Sequence, residues 1–414
     1  MVDATLSRID NEMEQNLNRL FDFLKIKSIS TDSEFKKDCA KAADWLVEDL
    51  KSFGVKAQKY ETDGHPIVHG HLGSNKGPHV LFYGHYDVQP IDPLELWAND
   101  PFEPAIEQLP SGPVIRARGS SDDKGQLMTF VEACRAWIKQ NKALPFKVTF
   151  FFEGEEESGS PNLVPFMKKY KKEISSDIVL ICDTGLFESR VPSIVTRLRG
   201  LLKEEIIITG PDKDLHSGMY GGIAVNPARI LTCILSKLHD EDGAVTIPDF
   251  YDGVPELPQN ILGQWQGLKF KDDQFLADVG LSTPAGEKDR SALEMLWSRP
   301  TCEINGIKAG YIGEGFKTVL PAQASAKISF RLVANQDPLK IRKKFRNMVK
   351  DLLPDDCQVF FKEHEASKAS QMDISPPEFE KAREAISEEW GIEAAFIGCG
   401  GSIPIAGYFQ KITG

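Results

Sequence analysis

The chain has 414 residues, 41% hydrophobic and 27% charged, with a formal net charge of −12. That length accommodates two or three domains with sizeable cores, and the acidic balance excludes nucleic acid as an expected partner, since phosphate contacts need a Lys/Arg surface. No secretory h-region or membrane-spanning apolar run is visible, and the seven cysteines are scattered singly without a CxxC, as expected for free thiols in a reducing cytoplasm.

In chain order, Leu6, Ile9, Met13, Leu17, Leu20, Phe21 and Leu24 recur at helical spacing and predict an amphipathic opening helix. Asp32-Ser33-Glu34 can start a second helix, with Ala40, Ala43, Leu46, Leu50 and Phe53 turned inward and Gly54 ending it. Residues 79–84 form a short, nearly all-apolar strand of the kind buried in parallel sheets. The proline-rich stretch 88–117 reads as a long loop with a short strand near Val114-Ile115. A helix over 122–139 and strands over 147–152 and 177–182 follow. Helices between strands imply an α/β sheet with covered faces.

The pattern changes near Gly200. A strand at 204–209, the Gly-rich stretch 217–222, a helix at 227–238, an alternating strand at 324–333, a helix at 338–352 and a strand at 357–361 predict a small, mainly antiparallel α+β domain inserted into the first. From about Ser370 the style of the larger domain resumes, with a helix at 377–389 and a Gly-rich loop at 398–402.

The chemistry-bearing residues cluster at predicted strand ends, the edge at which open α/β folds bind ligands. His85 and Asp87 follow the strand at 79–84, Glu155-Glu156-Glu157 follow that at 147–152, and Asp183 follows that at 177–182. Asp122 stands at a helix start. One imidazole and several carboxylates suit divalent metal better than a nucleophilic triad. A carboxylate behind a ligand histidine fixes its tautomer, which gives Asp87 a role, although it can also simply cap a loop. Asp122 reads equally well as a bridging ligand or as an N-cap. Three consecutive acids repel one another unless cations or solvent neutralise them. A split of roles places Glu157 on a metal and leaves Glu156 free to take a proton from an activated water. The chain contains no Gly-x-Ser-x-Gly elbow, HExxH or P-loop.

At these residues the chain resembles the dinuclear zinc peptidases of the aminoacylase, glutamate carboxypeptidase and carnosine-dipeptidase superfamily, in its cytosolic dipeptidase flavour. Residues 83–90 (Tyr-Gly-His-Tyr-Asp-Val-Gln-Pro) resemble the first metal motif, 118–125 (Arg-Gly-Ser-Ser-Asp-Asp-Lys-Gly) the bridging motif and 153–160 (Glu-Gly-Glu-Glu-Glu-Ser-Gly-Ser) the base-and-ligand motif. The resemblance implies a mixed central sheet flanked by helices, zinc exopeptidase-like, with an inserted ferredoxin-like α+β lid and dimerisation domain. On this reading residues 1–199 and 369–414 form the catalytic domain and 200–368 the insert. His85 and Asp183 are implied as terminal ligands, Asp122 as the bridge, Glu157 as a ligand, Glu156 as general base and Asp87 as the orienting residue.

The implied cofactor is two divalent ions per subunit, Zn2+ first with Mn2+ or Co2+ as alternatives. His216, in Leu-His-Ser-Gly, is implied to reach across a homodimer and hold the oxyanion, although on sequence alone it is a loop histidine in a Gly-rich turn. Arg331 is implied to bind the substrate's terminal carboxylate, Thr318 to contact the substrate nearby, and Gly401 and Ser402 to line the site, where they could cradle a carboxylate. Two departures stand out: Cys399 occupies a position where the family carries an acid, and no histidine follows His364, whereas the family has a last ligand histidine beyond the Gly-Gly-Ser loop. A missing C-terminal tail is therefore expected. The expected reaction is hydrolysis of short peptides with a free C-terminal carboxylate. The competing readings are an N-acyl or N-succinyl amino acid amidohydrolase on the same centre and a non-catalytic peptide-binding relative.

Overall fold

A computed structural model describes the chain apart from residues 75, 111, 188–190, 402, 403 and 414 and the side chain of Pro404. Its contacts divide it into two compact units, Met1–Thr184 with the last residues from Tyr408, and Gly185–Gly407.

In the first unit the expected opening helix is two helices, α1 (Val2–Asn11) and α2 (Met13–Leu24), because the backbone at Glu12 leaves helical values at φ −102° and ψ 12°. The Asp32 carboxylate accepts the Glu34 N–H at 2.9 Å and so starts a 3-10 turn leading into α3 (Lys36–Lys51). Strands β1 (Lys56–Tyr60), β2 (Ile67–Gly73) and β3 (His79–His85) follow, then β4 (Ala105–Leu109), which was not expected, paired in a hairpin with β5 (Gly112–Arg116), the short strand expected near Val114-Ile115. The unit continues with α4 (Lys124–Asn141), β6 (Lys147–Glu153), α5 (Leu163–Lys169), α6 (Lys171–Ile174) and β7 (Ile178–Ile181).

The sheet order is β1-β2-β6-β3-β7. β6, β3 and β7 run parallel, while β2 is antiparallel to β1 and β6. Phe82, Phe150 and Phe152 pack on one face in a core shared with Leu46 and Leu50 of α3 and Leu127 and Val131 of α4. Tyr83 and Phe151 cover the other face against Phe166 and Phe409. Burial on both faces is why β3 and β6 read as continuous apolar runs. Lys124, the first residue of α4, is fully buried. Its ammonium donates to the carbonyls of Phe23 (3.1 Å) and Ile26 (2.6 Å) at the end of α2 and lies 4.8 Å from the Phe23 ring centroid.

The second unit contains β8 (Ser193–Leu198), β9 (Gly200–Thr209), β10 (Leu215–His216), α7 (Ser217–Tyr220), α8 (Pro227–Leu235), α9 (Gln259–Gly267), α10 (Asp272–Ala277) and α11 (Ala292–Trp297). Then come β11 (Thr301–Ala309), β12 (Val319–Leu320), β13 (Gln323–Leu332), α12 (Pro338–Asp351), β14 (Gln358–Ser367), β15 (Ser370–Gln371), α13 (Pro377–Trp390) and β16 (Ala395–Cys399), before α14 (Pro404–Thr413).

β9, β11, β13 and β14 form an antiparallel sheet in the order β11-β13-β9-β14, the ferredoxin-like arrangement. Leu202, Ile206, Ile328 and Phe330 on one face pack with Ile234 of α8 and Phe345 and Val349 of α12. Glu204 is buried in this unit and is paired with Arg342 (2.8 Å) and Arg346. β8 lies between β15 and β16, parallel to β16. Trp265 of α9 and Trp297 of α11 join Ala395 and Ile397 of β16 in one apolar cluster. Through these contacts residues 193–199 and 369–407 group with the insert, so the expected boundaries at 199 and 368 fall inside this unit. Among the described residues no helix is long and apolar enough to cross a membrane.

Candidate metal centre

The parallel strands of the first unit end in register, His85 opposite Glu153 and Tyr83 opposite Ile181. The loops leaving them therefore start side by side, and carboxylates from distant parts of the sequence converge on the imidazole of His85. That ring is fully buried. Its Nδ1 faces the carbonyl of Asp87 at 3.1 Å and the Asp87 carboxylate at 3.3 Å. Its Nε2 lies 3.0 Å from Asp122 Oδ1 and 3.9 Å from Asp183 Oδ2. The approach to Asp122 is an ion-pair contact rather than a well-formed hydrogen bond, and Nε2 has no other hydrogen-bond partner among the described residues. Ligand atoms of His85, Glu156 and Asp183 all lie within 4.8 Å of one another.

Asp87 is fully buried and does more than face the imidazole. One of its oxygens accepts the Ser30 hydroxyl (2.6 Å) and the Glu157 N–H (3.1 Å), and the other accepts the Glu156 N–H (3.2 Å). It thereby anchors the 3-10 turn Glu156–Ser158. Asp123 supports the same strand end by accepting the His85 N–H at 3.0 Å. α4 starts after Asp123 without a side-chain cap, so the N-cap explanation of Asp122 does not apply; its exposed carboxylate is placed at His85 instead.

The three consecutive glutamates have separate surroundings. Glu155 is buried and accepts the His65 N–H (3.0 Å) and the Asn162 side-chain amide (2.9 Å), which ties two loops together. Glu156 joins the His85 cluster. Glu157 accepts the Gln89 side-chain amide at 2.5 Å. Gly154 is required just before them, because a Cβ there would fall 2.3 Å from the Tyr86 hydroxyl, itself bonded to the Pro66 carbonyl.

The electrostatics of the cluster are those of a site short of positive charge. Burial pushes Glu156 up to about 7, Glu153 to about 8 and Asp123 to about 9. Burial also raises Asp183 and Glu157, with neighbouring carboxylates adding to the effect. Burial opposes a charged His85, but Asp122 and Asp87 outweigh it and hold the imidazole well above its usual range. The neighbouring ammonium of Lys124 is turned to the end of α2. A buried imidazole amid converging carboxylates, several of which burial makes reluctant to ionise, is the donor set a divalent cation completes.

The remaining expected site residues lie in the second unit. His216 is exposed at the end of β10, and its Nδ1 accepts the Gly218 N–H at 3.0 Å. Thr318 is exposed beside it, its carbonyl accepting the Ser217 N–H at 3.2 Å. Arg331 is half-buried on β13. The Gly401 carbonyl accepts the Arg199 N–H at 3.1 Å. Ser402 lies outside the described residues. Sequence reasoning missed Ser30 and Asp123; the first carries no local signal, and the second is visible only as the neighbour of Asp122.

Fold and donor set together define a metal-dependent peptidase. The chain belongs to peptidase family M20/M25/M40, whose profile matches residues 81–413. It is 29% identical to the Cys-Gly metallodipeptidase of Schizosaccharomyces pombe, over 99% of this chain and 89% of the relative. It is 26% identical to the human Beta-Ala-His dipeptidase, over 100% of this chain and 84% of the relative. A solved M20 family metallo-carboxypeptidase from Sulfolobus solfataricus superimposes with a TM-score of 0.79 at 32% identity, covering 96% of this chain and 89% of that one.

Proposed function

We propose that this protein hydrolyses the amide bond of dipeptides or short peptides bearing a free C-terminal carboxylate. The observation that carries the reading is the convergence of Asp122, Asp183 and Glu156 on Nε2 of the buried His85 imidazole. The yeast and human relatives, both named as dipeptidases, favour peptides over N-acyl amino acids.

In this reading His85, Asp183, Asp122 and, on releasing Gln89, Glu157 are the residues that would hold two divalent ions. Two divalent ions, Zn2+ first and Mn2+ or Co2+ otherwise, supply Lewis acidity for the scissile carbonyl and for water. Asp87 holds His85 in one orientation and, through the Glu156 and Glu157 N–H groups, sets where those side chains start. Glu156 accepts the proton of the attacking water and returns it to the leaving amine. Because Nδ1 of His216 accepts a backbone N–H, its proton sits on Nε2, a donor suited to the oxyanion. Arg331 takes the substrate carboxylate, Thr318 contacts the substrate nearby, and Gly401 and Ser402 line the site.

We also infer a homodimer through the inserted segment, supported by exposed apolar side chains at Met219, Ile223, Ile312 and Phe316. A cytoplasmic setting is supported by seven free cysteines. The test is Glu156→Gln in metal-loaded protein assayed on a dipeptide panel. Turnover should fall by roughly three orders of magnitude or more while metal content holds. Unchanged turnover removes Glu156 from the mechanism, and a wild-type protein inert on every peptide removes the peptidase reading.

A further inference from the structure

His65 lies in the loop joining β1 to β2 and is buried. Its ring Nε2 is 3.1 Å from the Ser30 carbonyl. A carbonyl only accepts, so the proton sits on Nε2 and the ring donates to Ser30. The Ser30 hydroxyl in turn donates to Asp87 at 2.6 Å, the carboxylate that receives the Glu156 and Glu157 N–H groups. We propose that His65 is a positioning residue: it clamps Ser30 and Glu155 together and so sets the turn from which the Glu156 side chain starts. The assignment rests on the peptidase reading above for the work that Glu156 does.

His65 also holds the other side of that turn. Its backbone N–H donates to Glu155 Oε1 at 3.0 Å. The Glu155 carbonyl receives the Ser158 (3.1 Å) and Ser160 (2.7 Å) N–H groups that close the turn. Asp87 and Glu155 thus grip the turn from two sides, and His65 is bonded toward both. Its loop is shaped for the approach. A Cβ on Gly64 would lie 1.7 Å from Glu155 Oε1, so the loop comes this close only without a side chain there while that carboxylate keeps its bonds. The Thr62 hydroxyl accepts the Gly64 N–H (3.1 Å) and donates to the His65 carbonyl (2.7 Å). On the far side, the Ser28 carbonyl receives the Val88 N–H (2.9 Å) and the Ser28 hydroxyl donates to the Tyr86 carbonyl (2.7 Å). The segment carrying Ser30 is therefore registered against the strand end that carries His85 and Asp87.

An imidazole is not the cheapest filling for this position. With the proton on Nε2, Nδ1 is a bare acceptor, buried without a partner among the described residues. A buried acceptor left bare costs stability that an apolar side chain would avoid. What the ring contributes is its single bond to Ser30, a residue in a turn outside helix and strand.

The experiment compares His65→Leu, which removes the ring donor, His65→Gln, whose side-chain amide keeps a donor near the place of Nε2, and Ser30→Ala. The first readout needs neither metal nor substrate: hydrogen exchange at the Glu156 and Glu157 amides of the metal-free protein. His65→Leu should speed it by roughly tenfold or more, and His65→Gln should restore most of the protection. In metal-loaded protein assayed on a dipeptide, His65→Leu should lower kcat per bound metal by roughly 10–100-fold with KM within about threefold, the pattern of a displaced base rather than of lost binding. His65→Gln should recover it, and adding Ser30→Ala to His65→Leu should lower kcat no further than the worse single change, because both act through one chain of bonds. Unchanged exchange, unchanged kcat, or a loss that His65→Gln does not recover overturns the role of His65 and leaves the peptidase reading intact. Should His65→Leu fail to fold, Ser30→Ala decides, and wild-type protection of the two amides in that variant overturns the proposal. If the wild-type protein hydrolyses no peptide while His65→Leu still loosens the amides and His65→Gln restores them, the clamp stands and the peptidase reading falls.

Discussion

Asp87→Asn is the sharpest probe of how the metal centre is built. The native carboxylate accepts from the Ser30 hydroxyl at 2.6 Å, the Glu157 N–H at 3.1 Å and the Glu156 N–H at 3.2 Å, and faces His85 Nδ1 at 3.3 Å. Asparagine keeps the volume but has a single acceptor oxygen. If that oxygen stays on Ser30 and Glu157, the new NH2 group points at the Glu156 N–H and at His85 Nδ1. One charge-assisted bond is lost and a donor is left facing a donor, for about 2–4 kcal/mol of stability. The same NH2 group favours an unprotonated Nδ1 and moves the proton to Nε2, the atom proposed to hold metal. The Asp87 carbonyl, 3.1 Å from Nδ1, opposes that exchange, so the effect is graded. Metal affinity should fall by roughly 10–100-fold, the usual cost of losing a group behind a ligand histidine. Zinc competition against a chelator of known affinity measures the fall in affinity, and urea unfolding of the metal-free protein measures the loss of stability. Wild-type zinc affinity together with an unchanged unfolding midpoint would refute the reasoning.

Further consequences are as direct. Gly154→Ala puts a methyl group 2.3 Å from the buried Tyr86 hydroxyl and should cost about 1–3 kcal/mol, read by urea unfolding. Glu204→Gln leaves Arg342 and Arg346 without their buried carboxylate and should cost about 3–5 kcal/mol in the same assay. Burial holds His69 down at about 3, so as pH falls below about 6.5 the unfolded chain gains a proton that the folded chain refuses. Stability is then lost progressively toward acid, by about 2–3 kcal/mol from this group at pH 4.5, and His69→Phe should flatten that limb of a stability–pH curve. Chelation should abolish peptide turnover and added Zn2+ should restore it; full activity in thoroughly chelated protein would contradict the proposal.

The parts of the fold visible from sequence were those whose pattern is local. β3, β6 and β7 are apolar runs because both faces of their sheet are covered, and the ligand candidates follow them directly. β1, with sequence Lys-Ala-Gln-Lys-Tyr, is an edge strand with mostly polar side chains, and β2 carries two histidines and two glycines; neither has a strand-like composition. β8 gains its partner from β16, about two hundred residues later, which no window of sequence reveals. α9, α10 and α11 are only nine, six and six residues long, and their helicity depends on packing more than on propensity. At the site, the strand-end acids could be read, but the division of labour among Glu155, Glu156 and Glu157 could not. It depends on Asn162, Asp87 and Gln89, which reach them through tertiary structure.

The ammonium of Lys124 ties the end of α2 to the start of α4, two residues after Asp122, so the opening helices brace the proposed metal centre. Clipping the chain between Leu24 and Lys36 would leave that cation without its carbonyl anchors and free the loop beside it. Limited proteolysis should thus silence the protein before the bulk of it melts, and inactivation followed by gel and by zinc release would show the two events together.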